Sequence, residues 1–368
     1  MEVLASVEEI DFPVRRVLLF RIGQLGDSVV ALPSLLALRK TFPEAQISWL
    51  ADRHLGSNFV SSEALLNGLG LVDFFYFYPV KKTSRQRLLW VWSMLKLVRR
   101  LRLKKFDLVL RLDPEKHGRK GAERDTRFFN LCGIKSQLTV SQFRPESPLH
   151  SSVRPLPEQI HEVNFYQGAL EQLGLKTVSP GEGFDVLRNP IGEEQALIDT
   201  ILSSGDSYVG VGVGSKMPSK RWEESRFEEL LLRLYHEKDK MPVFFGGSED
   251  SEAASRVIRK LRVGIDLCGY VSLRGSVYAL SKCEFYVGND TGTMHLAVAA
   301  GIPCVAIFSA RDVPGKWYPF GKGHEMLRIP VDCEGCMLER CLKFDNQCLK
   351  AIKVNDVFAA SCRVLNRK

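Results

Sequence analysis

The sequence predicts an α/β protein of two doubly wound, parallel-sheet domains facing a central cleft. Three observations lead there. The chain has 368 residues, enough for about two domains at ~150 residues each. Short β-rich apolar runs alternate with stretches of helical apolar spacing, the pattern of parallel sheets with crossover helices. The alternation also breaks once, at the Pro- and Gly-punctuated stretch KTVSPGEGFDVLRNP, and then restarts. The expected division is an N-terminal domain over 1–176, a connection over 177–190, a C-terminal domain over 191–352 and a closing helix over 353–368.

The elements follow in order. RRVLLFRI, residues 15–22, reads as the first strand, GQLGD as its turn and 28–42 as a helix. QISWLA, residues 46–51, is the second strand and completes a βαβ unit. Further strands are expected at 72–78 and 106–112, with a mostly helical stretch over 81–105 between them. In the second half, strands are expected at 207–213, 242–245, 265–267, 285–287 and 304–308. Helices are expected at 224–238, 252–261, around 276–282 and at 294–300. Ligands of such sheets bind beyond the carboxyl ends of the strands.

Composition narrows the class. Hydrophobic residues make up 45% and charged residues 26%, a globular balance that excludes general disorder. The net charge of +8 is modest, so its location matters more than its size. No apolar run approaches the ~18–20 residues of a membrane span. The acid-containing start, with Glu2, Glu8, Glu9 and Asp11, is unlike a secretory signal. A cytoplasmic protein with mostly reduced thiols is the expectation.

Four loops carry chemistry. In Arg21-Ile-Gly-Gln-Leu-Gly-Asp27, Gly26 is expected to permit the tight turn. Asp27 then stands at a helix start, either as a cap or as a general base in the first βα loop; the two readings are compatible. In Gly210-Val-Gly-Val-Gly-Ser-Lys-Met-Pro-Ser-Lys-Arg-Trp222, a strand runs into a loop where Gly214 and Ser215 could approach an anion and Lys220 could supply charge. Its spacing matches neither a dinucleotide fingerprint nor a P-loop, and a solvated basic turn is the plainer reading. Phe244-Phe-Gly-Gly-Ser-Glu-Asp250 ends a strand on two glycines and an acid. Glu249 could accept from ribose hydroxyls or simply favour a helix start. Gly288-Asn-Asp-Thr-Gly-Thr-Met-His-Leu296 crowds Asp290, Thr291, Gly292 and His295 at a helix opening suited to phosphate.

Two further segments stand apart. Residues 81–105 contain ten Lys/Arg and no acid, interleaved with Trp90, Trp92, Leu89, Leu95 and Leu97. That is the pattern of a helix on an anionic membrane surface, with a solvated helix face as the alternative; no nucleic-acid motif is present. Arg111, Lys116 and Arg119 extend the positive field toward an anionic acceptor. Cys333, Cys336, Cys341 and Cys348 could hold a structural metal, pack as thiols or form disulfides, and none of these makes them catalytic.

VLLFRIGQLGDSVVALPSLLALRKTFPEAQISWL resembles the start of glycosyltransferase family 9, the lipopolysaccharide heptosyltransferases and their relatives. SKRWEESRFEELL, VFFGGSED and VGNDTGTMHLAVAAGIPCVAIF resemble that family's nucleotide-sugar half, in the same order. Residues 60–200 match in general character only. Gly212-Val213-Gly214 replaces a common His-Pro-Gly-like segment, and Thr293 stands where Pro is frequent. The resemblance implies a GT-B architecture of two Rossmann-like domains, with the acceptor on the first and the donor on the second. It implies inverting, metal-independent heptose transfer from an ADP-linked sugar to a lipid-linked or other glycan. By motif, Asp27 corresponds to the general base and Lys220 to the lysine at the donor diphosphate. Gly26, Gly214, Ser215, Glu249, Asp290, Thr291, Gly292 and His295 fall in the donor-binding set, and no cofactor is required. The expected location is cytoplasmic, peripheral on the inner membrane face. Another nucleotide sugar, a protein acceptor or a nucleotide-sugar epimerase of the same fold are the alternatives.

Overall fold

The structure, a computed structural model, describes residues 3–54, 61–80, 87–113, 118–144, 160–203 and 206–367. The chain divides into two compact units, Met1–Gly183 and Phe184–Lys368.

In the first unit the strands are β1 (Arg16–Phe20), β2 (Gln46–His54), β3 (Phe74–Val80), β4 (Leu108–Arg111) and β5 (Ser136–Thr139). They form one sheet in the order β3-β2-β1-β4-β5, and every pairing is parallel. The helices are α1 (Leu25–Val30), α2 (Leu32–Thr41), α3 (Ser62–Leu66), α4 (Arg87–Lys104), α5 (Gly118–Leu131) and α6 (Glu162–Gln172). The helix expected over 28–42 is two helices. Pro33 sits in the first turn of α2, where its fixed φ suits a helix start and its missing N–H costs nothing. β5 was not foreseen, because SQLT carries no apolar run; its Gln137 and Thr139 are buried by partners distant in sequence. Leu18, Phe20, Leu50, Val109 and Phe129 fill a core beneath the inner face of α4.

The segment expected as a connection, 177–190, is itself mostly helical. It holds α7 (Pro180–Asp185) and a 3₁₀ turn at Val186–Arg188, and it buries Phe184 and Leu187.

The second unit carries β6 (Tyr208–Gly212), β7 (Met241–Phe244), β8 (Ile265–Asp266), β9 (Cys283–Asn289), β10 (Cys304–Phe308) and β11 (Glu325–Arg328). Their order is β11-β10-β9-β6-β7-β8, again parallel throughout. The helices are α8 (Glu193–Ile201), α9 (Glu224–Lys238), α10 (Ser251–Leu261), α11 (Leu273–Ser281), α12 (Gly292–Ala300), α13 (Gln347–Lys350) and α14 (Val354–Leu365). The closing helix is not a separate body. Val357, Phe358 and Val364 of α14 join Trp222, Phe227 and Leu231 in one core, and the Trp222 indole N–H donates to the Ile352 carbonyl (3.1 Å).

Both sheets reverse their winding beside their first strand. In the first unit β4 returns to pair with β1, and in the second β9 returns to pair with β6. At such a switch point the flanking crossovers run to opposite sides and leave the carboxyl ends uncovered. The loops after β1, β6 and β9 leave from these two points.

Candidate functional site

In the first unit the loop after β1 presents Asp27. Gln24 is the N-cap of α1 and Asp27 is its third residue. The Asp27 carboxylate accepts from the Gln24 N–H (2.8 Å) and from the Arg21 guanidinium. Its side chain keeps 26% exposure while Arg21 keeps 2%. Asp27 therefore caps the helix start from within and still faces solvent. The glycine that makes this turn is not Gly26, which lies inside the first turn of α1. It is Gly23, whose φ of +142° disfavours any side chain and whose missing Cβ makes room for the Asp27 carboxylate. The Gly23 N–H donates to Asp52 Oδ1 (3.0 Å), a buried carboxylate that the sequence reading missed. Burial alone would depress the Arg21 pKa, but Tyr166, Asp27, Glu162 and Asp52 around it raise it. The guanidinium is a fixed cation that orients Asp27.

Arg111 corrects an expectation. It ends β4 directly beside Phe20 of β1, yet its side chain is 0% exposed. It donates to Asp113 (3.2 Å), Thr126 (2.7 Å), Gln137 (3.2 Å) and the Ala122 carbonyl (2.9 Å). A buried cation needs such partners, and Arg111 braces α5 against the sheet rather than meeting an acceptor. Lys116 lies outside the described residues, as does the side chain of Arg119, whose backbone belongs to α5.

In the second unit the loops after β6 and β9 meet. Asn289, fully buried at the end of β9, donates to the Val213 carbonyl (2.8 Å) and accepts from the Trp222 N–H (3.0 Å). This amide, absent from the predicted site, clamps the two loops together. Across that clamp Lys220 Nζ pairs with Asp290 Oδ2 at 2.5 Å, with exposures of 15% and 7%. The Ser215 hydroxyl accepts from the Met217 N–H (3.2 Å), and its carbonyl accepts from Arg221 (2.7 Å). Thr291 is the N-cap of α12, and its side chain makes no capping bond. Gly292 opens the helix, so backbone N–H groups of the first turn face the loop. His295 lies one turn further on, buried, its ring edge-on to Trp317.

Glycines shape this half-site. Gly214 and Gly246 both give way to the Asp250 carboxylate, which accepts from the Gly247 N–H (3.1 Å). Burial pushes the Asp250 pKa up, and that N–H opposes the rise. The expected acid, Glu249, is exposed and folds back over Gly247. Gly212 and Gly288, paired across β6 and β9, leave room for the phenol of the fully buried Tyr286.

The cysteine cluster does not fit a metal. Among the described residues no group of three or more His, Cys, Asp or Glu is placed to hold an ion. The four thiols are unpaired and half-exposed. Cys341 Sγ accepts from the Asn346 N–H (3.3 Å) and Cys333 Sγ from the Gln347 amide (3.7 Å). Their segment serves the site in another way: the Leu338 carbonyl accepts from the Ser219 hydroxyl (2.6 Å), next to Lys220.

Residues 169–344 match the family model described as glycosyltransferase family 9 (heptosyltransferase). The chain is 22% identical over 170 residues to lipooligosaccharide heptosyltransferase 2 of Campylobacter jejuni, covering 45% of this chain. It spans about half the length of that relative, 53%. The crystal structure of a family 9 glycosyl transferase from Veillonella parvula superposes with a TM-score of 0.70 at 22% identity, covering 98% of this chain and 99% of that one. An E. coli heptosyltransferase solved with ADP-2-deoxy-2-fluoro heptose gives 0.64 at 18% identity, covering 96% and 100%. The fold is GT-B, and residues 169–344 of the chain resemble glycosyltransferase family 9.

Proposed function

We propose that the chain is an inverting, metal-independent glycosyltransferase that moves a heptose from an ADP-linked donor to a lipopolysaccharide-core glycan. The observation that carries this reading is the pair of polar loops at the two sheet switch points. One offers a solvent-reaching carboxylate held by a buried guanidinium. The other offers a lysine beside the opening of α12. An E. coli relative of the same fold is described with an ADP-heptose analogue, which supports an ADP-sugar here.

The chemistry assigns a role to each group. The acceptor hydroxyl loses its proton to Asp27 as its oxygen attacks the anomeric carbon. The bond from that carbon to the diphosphate breaks, its electron pair leaves with ADP, and attack from the opposite face inverts the centre. Lys220 exchanges Asp290 for the diphosphate and, with the N–H groups near Thr291 and Gly292, stabilises the charge that develops there. Gly214, Ser215, Glu249 and His295 complete the proposed donor set within the second unit.

A donor screen read by mass spectrometry tests the reading. The expected result is consumption of ADP-heptose, release of ADP, a product of opposite anomeric configuration, and full activity in excess EDTA. Activity lost to EDTA and restored by Mg²⁺ contradicts the leaving-group argument. Preference for a UDP-sugar changes the donor, and an isomerised sugar formed without acceptor makes the chain an epimerase.

A further inference from the structure

Helix α4 has one face the fold explains and one it does not. On the inner face Leu97 and Leu101 are buried against the first unit's core, with Met94 and Val98 beside them. The Trp90 indole N–H donates to the Pro79 carbonyl (2.8 Å) and fixes the rotation of the helix. On the opposite face Leu88, Trp92, Leu95 and Leu103 stand 76%, 65%, 57% and 70% exposed. Their spacing of four, three and eight residues puts them on one stripe, with Arg99 filling the remaining place. Leu89, 67% exposed, widens it. Single exposed leucines are ordinary; an apolar stripe interrupted by Arg99 along a helix about 27 Å long is a contact surface.

The flanks identify what it contacts. Arg87, Lys96, Arg99, Arg100, Arg102 and Lys104 all lie on α4, and the helix contains no acid. A second copy of this face would bring the same cations against these and be repelled. A nucleic acid would use the cations but has no use for the leucine and tryptophan stripe. An anionic bilayer uses both: headgroups meet the lysines and arginines, and the stripe enters the boundary with the acyl chains.

We propose that the outward face of α4 docks the first unit on an anionic membrane surface, with the helix lying in the interface plane. No helix among the described residues is long and apolar enough to cross a membrane, so attachment through α4 is peripheral. The docking needs no sugar and no turnover, and it stands or falls separately from the proposed transfer reaction.

Vesicle co-sedimentation of the full chain tests it. The probes are phosphatidylcholine vesicles with and without about 30 mol% phosphatidylglycerol. The wild type is expected to bind the anionic vesicles at least tenfold better than the neutral ones. Leu88→Ser/Trp92→Ser/Leu95→Ser, which leaves the inner face and every charge in place, is expected to lose at least tenfold of that binding with its circular dichroism unchanged. Lys96→Ser/Arg99→Ser/Arg100→Ser is expected to remove the preference for anionic lipid. Equal binding by the apolar variant and the wild type overturns the proposal, as does a wild type that pellets with neither vesicle. A wild type that binds duplex DNA but no vesicle makes the face a nucleic-acid site. A change in sedimentation velocity from dimer to monomer in the apolar variant, with vesicle binding intact, makes it a self-interface.

Discussion

The two candidate sites, one in each unit, hold their charges in opposite ways. In the first unit, Arg21 is buried and Asp27 leans on it while still reaching solvent. Gly23 and Gln24 supply backbone N–H groups that fix Asp52 and Asp27. The carboxylate is aimed before any ligand arrives. In the second unit the cation sits at the end of a lysine side chain. Lys220 ends an aliphatic stem on Asp290, and in the proposed reaction a diphosphate would compete for it. The difference teaches where each half bears its cost. The first stores it in a turn that only glycine fits and a buried guanidinium; in the proposed reaction the second defers it to binding, when one ion pair is exchanged for another.

The comparison breaks first at Asp27. If the aimed carboxylate is the base, Asp27→Asn keeps the shape of the turn and lowers turnover by about 10²–10⁴-fold. ADP affinity, measured by calorimetry, is expected to stay the same because the proposed donor loops belong to the other unit. Normal turnover in that variant removes the base and leaves Asp27 a cap. The next largest effect is expected at Lys220. Lys220→Met leaves Asp290 without its cation and is expected to cost about 10²–10³-fold in kcat together with a weaker ADP isotherm. Unchanged kcat and affinity would mean that the ion pair only ties two loops together. The smallest effect sharpens the idea of a strained turn. Gly23→Ala meets both an unfavourable φ and the Asp27 carboxylate, and about 1–3 kcal/mol of stability should be lost along with activity. Gly315→Ala also has a positive φ but opens onto free space, so thermal unfolding should show a smaller loss and turnover should be unaffected. Equal losses at the two glycines would mean that contact with Asp27 adds nothing.

The legible parts of the sequence were those set by local pattern. The second unit's α9 and β10 fall at the residues their apolar spacing marks, 224–238 and 304–308. Asp290 stands out because it directly follows an apolar strand, and Asp27 and Lys220 because they lie in the polar stretches that follow β1 and β6. What escaped was set by partners far along the chain. Asp52 sits within a strand, and its bond to the Gly23 N–H, 29 residues away, reveals its use. Asn289 reads as one more polar residue until its amide is seen bridging to Val213 and Trp222. Arg111 looked like free charge because sequence cannot show a cation its buried acceptors. Gly23 and Gly26 look alike in a string of letters, and only the backbone dihedral separates them. The exposed face of α4 was legible as composition, whereas which of its leucines point outward was not.

The Tyr286 phenol fills the gap left by Gly212 and Gly288 on two adjacent strands. Those three positions are therefore epistatic. A methyl group at either glycine overlaps the ring hydroxyl, and a smaller residue at 286 opens a void in a packed interior. A side chain at either glycine is expected to need a smaller ring partner at 286, and a library that varies these sites in pairs is expected to recover combinations that single changes at the glycines lose.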